Sequence, residues 1–125
     1  MKNVIATENA PKAIGPYSQA VEANGTLYIS GQIPIDPATG KVVEGEFREQ
    51  AEQVMKNIGA ILYAAGYDFS HVVKSVCLLS DMKNFPVLNE VYGSRYKENP
   101  PARAAYEVGM LPLGVMVEIE TIAVR

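Results

Sequence analysis

The sequence of 125 residues contains one cysteine and one histidine, and it lacks tryptophan. The single Cys77 excludes an internal disulfide, and with His71 it supplies too few ligands for a structural zinc site, which takes about four Cys or His side chains. The two residues fall on one predicted strand, about 20 Å apart at ordinary strand rise, so they cannot form a catalytic dyad. No phosphate loop, dinucleotide fingerprint or helical metal motif is present. We therefore expect no metal and no other cofactor, with Cys77 in the core and His71 at a strand start.

Basic charge and long apolar runs are also scarce. The chain carries 14 acidic and 11 basic side chains, so its formal net charge is -3. Small nucleic-acid-binding domains usually show a basic excess, so this balance argues against a nucleic-acid partner. No run approaches the roughly 20 apolar residues of a membrane span, and the first 15 residues lack an apolar segment of signal-peptide length. These absences predict a cytoplasmic protein that does not contact the membrane.

The composition otherwise suits one globular domain, predicted over residues 1–125, since 48 % of the residues are hydrophobic and 20 % are charged. Residues typical of strands occur at 26–33, 71–79, 102–108 and 115–124. Apolar residues at three- and four-residue spacing predict helices at 46–65 and 86–97. The N-terminal 25 residues, rich in proline and glycine, predict turns and short extended pieces.

This order of elements predicts an α+β domain in which two helices pack on one face of a mixed sheet. Apolar residues occur on too many strand positions for one thin core, among them Tyr28, Val76, Ala105 and Val117. The sheet face away from the helices must therefore be covered as well, and we expect association with another subunit. The alternative is a monomer with one partly apolar face.

Arg103 is the strongest candidate for binding chemistry. It lies in PPARAAYEV, among small and apolar residues. A guanidinium in such a segment needs a partner, and its planar fork matches a carboxylate through two parallel hydrogen bonds. The simpler alternatives are an internal salt bridge to Glu107, Glu118 or Glu120, or exposure at a strand start, and spacing alone favours these.

Glu118 and Glu120 are a second candidate pair. They are two residues apart in VMVEIETIAV, so both project from one face of the predicted strand. One of them could orient or deprotonate a water molecule. The alternative is an ordinary solvent-facing edge of acidic side chains. The short connection at 109–114 predicts that this strand lies beside Arg103.

The segment Ser30-Gly31-Gln32 is the third candidate. Glycine within a strand often marks the close approach of a ligand, and the Gly31 amide could donate to an anionic oxygen. The alternative is a β-bulge that curls the sheet. Strict alternation would place Gln32 on the face opposite Ile29. Tyr17 follows a Gly-Pro turn that could hold its ring over a pocket, or the ring could simply cover the domain edge.

Five segments, taken in order, resemble one known family. They are IATENAPKAIGPYSQA, LYISGQIPIDPATG, FPVLNEVYGSRY, PPARAAYEV and VEIETIAV. Together they resemble the RidA/YjgF family of small imine deaminases over nearly the whole chain, from Ile5 to Arg125. The resemblance implies a chorismate-mutase-like α+β fold and a homotrimer whose sheets form a central barrel, with helices outside and clefts between subunits.

The resemblance also implies an activity. Family members hydrolyse 2-imino acids such as 2-iminobutanoate and 2-iminopropanoate to 2-keto acids and ammonia, without a cofactor. This reaction protects pyridoxal-phosphate enzymes from these reactive intermediates. Small 2-imino or 2-keto carboxylic acids are therefore the expected ligands.

Residue by residue, Arg103 matches the family arginine that clamps the substrate carboxylate, and Glu118 matches the glutamate that holds the attacking water. Tyr17, Ser30 and Gly31 match residues that line the cleft. The remaining matches are Ala105, which stands where the family usually has a cysteine and would offer its backbone amide, and Asn89, whose expected role is structural.

The segment from Arg103 to Pro112 departs from the usual family pattern. Ala104 replaces a serine, Tyr106 adds bulk to the other face of the strand, and Met110 and Leu113 remove positive charge near the cleft mouth. We expect these changes to affect substrate preference or rate. Two other functions remain open: a non-catalytic sensor of small 2-keto acids that uses the same arginine, and an RNA-cleaving translation inhibitor, against which the net charge argues.

Overall fold

The structure, a computed structural model, describes residues 1–125. In chain order its elements are β1 (Asn3–Ile5), β2 (Ala20–Ala23), β3 (Thr26–Gln32), β4 (Ile35–Asp36), β5 (Lys41–Val42), α1 (Phe47–Ala64), β6 (Val72–Leu79), α2 (Phe85–Gly93), β7 (Ala102–Glu107) and β8 (Val117–Val124). Six strands form one sheet in the spatial order β1-β2-β3-β8-β6-β7, and β4 pairs with β5. The β6–β7 pair is parallel and every other pair is antiparallel.

This topology explains why both helices lie on one face. β3 and β6 are both antiparallel to β8, so they run parallel to each other, and α1 is their crossover. α2 connects the parallel neighbours β6 and β7. Parallel strands need such long connections, and these two pack on the same side of the sheet and against each other. The predicted mixed sheet with two helices on one face is confirmed.

Helix α1 matches its predicted range to within one residue at each end. Its first turn is closed by the Glu49 carboxylate, which accepts a hydrogen bond of 2.7 Å from the Glu46 amide. Its end is set by Gly66, whose φ of 82° lies in the left-handed region. There the Tyr67 amide donates to the Leu62 carbonyl at 2.9 Å, which satisfies one of the last helical carbonyls.

Helix α2 ends at Gly93, four residues before its predicted end. Gly93 and Ser94 are poor helix formers, and the Ser94 hydroxyl donates to the Val91 carbonyl at 2.6 Å. The chain then turns so that Tyr96 is buried against Phe69, with ring centroids 5.5 Å apart. Burial of one aromatic ring therefore overrides the apolar spacing that predicted a longer helix.

The sheet has one packed face and one open face. The face toward the helices carries the core, including Leu27, Cys77 and Ile119, all fully buried. Val117 and Ala105 also face the helices, while Tyr28, 51 % exposed, and the half-buried Val76 lie on the open face. Nothing in the chain covers the open face.

Neither helix combines the length and the apolar character that crossing a bilayer requires. The longer one, α1, has only one face of buried residues, and its other face carries charged side chains. Its exposed face includes one ion pair to α2, between Arg48 and Glu90 at 2.7 Å.

Candidate functional site

Arg103 lies on the edge strand β7, with its side chain on the face that packs against the helices. Its register partner on β6 is Ser75, which is fully buried, and the guanidinium reaches under α2. There Arg103 Nη1 donates a hydrogen bond of 2.9 Å to the Asn89 side-chain oxygen. The position combines a half-buried cation with an open strand edge.

Two aromatic rings of α2 also hold this guanidinium. The Arg103 Cζ atom lies 4.9 Å from the Tyr92 ring centroid and 5.2 Å from that of Phe85. Such cation–π contacts attract the charge without neutralising it. Phe85, Asn89 and Tyr92 stand at positions i, i+4 and i+7, so they share one face of α2. Sequence reasoning missed Phe85 and Tyr92, although this spacing could have identified them.

No acidic side chain pairs with Arg103. The ion pairs within the chain involve other cations. Glu107 instead accepts a hydrogen bond of 3.0 Å from the Met82 amide. The alternative of an internal salt bridge is therefore wrong, and most of the guanidinium's five N–H donors have no protein acceptor.

A second group of candidates lies on the open face of the sheet. One shallow cavity is lined by Tyr17, Ser30, Gly31, Ile33, Pro112, Glu118 and Glu120. The two glutamates project from the same face of β8, as their spacing predicted. Partial burial raises the pKa of Glu118 above its ordinary value, and the neighbouring charge of Glu120 raises it further. A carboxylate with a raised pKa is a better proton acceptor than an exposed one.

Gly31 lies directly against the Glu118 carboxylate. β3 has a bulge here, because the β3–β8 pairing passes from Ile29–Thr121 to Gln32–Ile119 with an extra residue on β3. The bulge confirms the alternative interpretation of this segment. It also turns Gln32 inward, where it is buried, so the expected outward position of Gln32 was wrong.

Adding a single methyl group at Gly31 should therefore displace the carboxylate. A Cβ atom there would meet the Glu118 oxygen Oε2, and it would lie 3.0 Å from Cδ. The end of this side chain can swing aside, so we expect Gly31→Ala to leave the melting temperature nearly unchanged. The family resemblance implies that Glu118 holds the attacking water, and misplacing such a group by about 1 Å can cost about 100-fold in rate. On that expectation, Gly31→Ala should lose at least about tenfold in kcat/KM for a 2-imino acid.

The matched control for this change is Gly109→Ala. Nothing lies within 4 Å of a Cβ atom built at Gly109, and that position does not require a positive φ. Steady-state kinetics and thermal unfolding of both variants make the comparison. Equal activities for the two variants would contradict the assigned contact between Gly31 and Glu118.

Tyr17 and Ser30 line the same cavity in different ways. Tyr17 is 53 % exposed and follows the turn at Gly15, so its ring stands at the rim rather than in the core. The Ser30 hydroxyl donates to the Ser18 carbonyl at 2.6 Å, which ties β3 to the segment before β2. Ser30 therefore shapes the cavity wall while its own hydrogen is already engaged.

The two groups of candidates do not meet within one chain. β6 lies between β7 and β8, so the expectation that β8 lies beside Arg103 is wrong. Two strand spacings amount to about 10 Å. Arg103 and Ala105 also face the helices, whereas Glu118 faces the open side. A single chain therefore cannot present both side chains to one small molecule.

The single cysteine and histidine lie outside both groups. Cys77 is fully buried, and this burial raises the pKa of its thiol to about 11, so it is inert as a nucleophile at neutral pH. His71 ends a short 3₁₀ turn just before β6, where its Nδ1 atom accepts a hydrogen bond of 3.0 Å from the Asp68 amide. Cys77 in the core and His71 at the start of a strand are both as the sequence predicted.

Comparison with known proteins places this arrangement in a family. Residues 7–125 match the family model described as Endoribonuclease L-PSP. The chain belongs to this family. Among its curated relatives, a RutC family protein of Pyrococcus horikoshii is 54 % identical over 125 residues, which are 100 % of this chain and 99 % of that one. The mouse protein named 2-iminobutanoate/2-iminopropanoate deaminase is 53 % identical over 125 residues, 100 % of this chain and 93 % of the relative.

Solved structures of the L-PSP family share the fold. RidA from an Antarctic Psychrobacter is 50 % identical and superposes with a TM-score of 0.95, covering 98 % of this chain and 99 % of that chain. The resemblance to the RidA/YjgF family is thereby confirmed, together with the α+β architecture that it implied.

Proposed function

We propose that the protein is a 2-iminobutanoate/2-iminopropanoate deaminase, which hydrolyses reactive 2-imino acids and so protects pyridoxal-phosphate enzymes. Mammalian relatives that carry this name are about half identical to the chain over all 125 residues. The observation in the structure that carries the proposal is the Arg103 guanidinium, which is held by α2 yet has no acidic partner. A cytoplasmic location, where such imines are released, belongs to the same proposal.

The substrate carboxylate binds to Arg103 in this mechanism. The guanidinium fork gives two parallel charge-assisted hydrogen bonds, which fix both the position and the plane of the carboxylate. The backbone amides of Gly31 and Ala105 face the ligand oxygens. Tyr17 and Ser30 complete the cleft wall, and bulk solvent is excluded around the imine.

Glu118 then holds the attacking water. Its carboxylate accepts a proton as the water oxygen bonds to the carbon of the protonated imine, which gives a neutral tetrahedral carbinolamine. Glu118 delivers that proton to the nitrogen. The C–N bond then breaks as the hydroxyl becomes the carbonyl and gives its own proton back to Glu118, and ammonia and the 2-keto acid leave. An imine is electrophilic enough that positioning and one base suffice, and each supplies several orders of magnitude in rate.

We propose that the cleft forms between subunits of a homotrimer. In one chain Arg103 and Glu118 lie on opposite faces of the sheet, with β6 between their strands. A second copy that docks on the open face would place its edge strand β7, which carries Arg103, beside the cavity that Glu118 lines. Closed assembly of three such sheets covers the exposed Tyr28 and Tyr106 on that face.

A coupled assay tests the activity directly. Threonine dehydratase generates 2-iminobutanoate in the presence of semicarbazide, which traps any imine that has not been hydrolysed. We expect the purified protein at micromolar concentration to suppress semicarbazone formation. Calorimetric binding of 2-ketobutyrate without such suppression would instead identify a non-catalytic sensor of 2-keto acids.

Light scattering tests the proposed trimer, and it should give a mass three times the chain mass of 13.6 kDa.

Mixing two inactive variants tests the shared cleft. At substrate concentrations well below KM, where both variants are nearly inactive, Arg103→Ala and Glu118→Gln that are unfolded together and refolded at equal concentration should regain about a quarter of wild-type activity, because a cleft takes its two halves from different subunits. Refolding each variant alone is the control. No recovery in the mixture would show that each cleft belongs to one chain.

A further inference from the structure

The Tyr92 ring lies against the face of the Arg103 guanidinium. The Arg103 Cζ atom is 4.9 Å from the ring centroid, closer than to the Phe85 ring at 5.2 Å. The hydrogen bond to Asn89 is the only one that the Arg103 side chain makes. One hydrogen bond leaves a flexible side chain free to rotate about that contact, so the rings must supply the remaining restraint.

Tyr92 is itself held firmly. It is 5 % exposed, and its ring packs against that of Tyr96 with centroids 4.7 Å apart. Its hydroxyl lies in a buried polar layer between α2 and the sheet. The other hydroxyls of this layer belong to Ser75, Tyr96 and Thr121, and none of the four makes a direct hydrogen bond of good geometry.

The neighbours of the Tyr92 hydroxyl in this layer show the direction in which the Tyr92 side chain extends. Burial raises the pKa of Tyr92, and the nearby Ser75 hydroxyl partly offsets that rise. Ser75 is the register partner of Arg103 on the neighbouring strand. Tyr92 therefore reaches from α2 down to β6, beside the strand position that pairs with Arg103, and its ring is buried there.

We propose that Tyr92 is a positioning residue that sets the orientation of the Arg103 guanidinium for the substrate carboxylate. The proposal rests on the role of Arg103 in the proposed function. An aromatic face attracts the cation without neutralising it and without occupying its N–H fork. A carboxylate at this place would hold the arginine equally well, but it would compete with the substrate.

Binding of 2-ketobutyrate tests the proposal by calorimetry. We expect Tyr92→Met, which fills much of the volume without a ring, to raise the Kd about tenfold. Tyr92→Phe keeps the ring and should bind within about threefold of wild type. The matched control is Tyr67→Met, because Tyr67 is equally buried but its ring packs against another arginine, Arg125, and not against Arg103. It should bind within about twofold of wild type.

A second measurement, NMR spectroscopy, reports the surroundings and the mobility of the Arg103 side chain without any ligand. In the wild-type protein, the ring current of Tyr92 should shift the Arg103 Nε–Hε resonance upfield, and its order parameter should exceed that of Arg48, which lies in an exposed ion pair. The resonance is assigned by its loss in Arg103→Lys. Tyr92→Met should move it downfield, whereas Tyr92→Phe should leave it in place.

The outcomes separate this inference from the proposed function. A mobile Arg103 in the wild type overturns the inference even if Tyr92→Met fails to fold. An unchanged Kd in Tyr92→Met, or an equal loss in Tyr67→Met, overturns it too, since the latter reports general loosening of the core. A wild-type protein without deaminase activity would instead reject the proposed function, and full activity in Arg103→Ala would reject its arginine clamp, while the resonance still reports whether Tyr92 orients the arginine.

Discussion

Arg103→Ala should lower kcat/KM for 2-iminobutanoate by at least about 100-fold. The substitution removes two charge-assisted hydrogen bonds to the substrate carboxylate, each of which contributes about 1.5–3 kcal/mol. A loss of about 3 kcal/mol corresponds to roughly 100-fold in rate. The effect should fall mainly on KM, because the carboxylate is bound equally in the ground state and the transition state. The semicarbazide assay at several threonine dehydratase levels measures both constants.

Two variants accompany this measurement. Arg103→Lys keeps the charge but loses the planar fork, so we expect an intermediate KM. Arg48→Ala removes an arginine whose partner is the exposed Glu90, and it should leave the kinetics unchanged. A wild-type KM in Arg103→Ala would remove the carboxylate clamp from the mechanism.

Glu118→Gln should lower kcat by 10²- to 10⁴-fold, which is the usual contribution of a positioned general base. Glutamine preserves the shape of the side chain but cannot accept a proton from water. Because substrate binding depends on Arg103, the KM should change little. Single-turnover measurements with freshly generated imine would isolate the hydrolytic step.

The pH profile of the wild type should identify the same carboxylate. Protonated Glu118 cannot act as the base, so kcat/KM should fall as the pH drops through its pKa. Within one chain, burial and the charge of Glu120 both raise that pKa, whereas the Arg103 of a second subunit at the proposed cleft would lower it. Glu120→Gln removes one of the two causes that raise the pKa and should move the acid limb to lower pH. An acid limb unaffected by Glu120→Gln would contradict the assignment.

The predicted elements that agree with the structure are those with strong local signals. α1 combines a continuous apolar face with a carboxylate at its start and Gly66 after its end, so its limits need no tertiary information. The predicted C-terminal end of α2 was wrong, because the burial of Tyr96 and the weak helix propensity of Gly93 together decide where the helix ends. The bulge at Gly31 was foreseen as an alternative, but its effect on Gln32 depends on the pairing with β8.

The sequence identified the candidate residues, but it did not show which of them lie close together. A short connection between β7 and β8 suggested neighbouring strands, yet β6 is inserted between them. Loop length limits how far apart two strands can lie and does not forbid one intervening strand. The aromatic partners of Arg103 were missed because Phe85 and Tyr92 look like ordinary core residues of an amphipathic helix.

The sequence by itself determined the composition limits, the family and the residue types available for chemistry: one arginine among small residues, paired glutamates and a glycine within a strand. These follow from local spacing and from motifs in order. Only the tertiary structure decided that Arg103 and Glu118 face opposite sides of the sheet. The reason is that strand order is set by how the whole sheet buries its core, and two crossover helices on one face leave β6 between the two halves of the site.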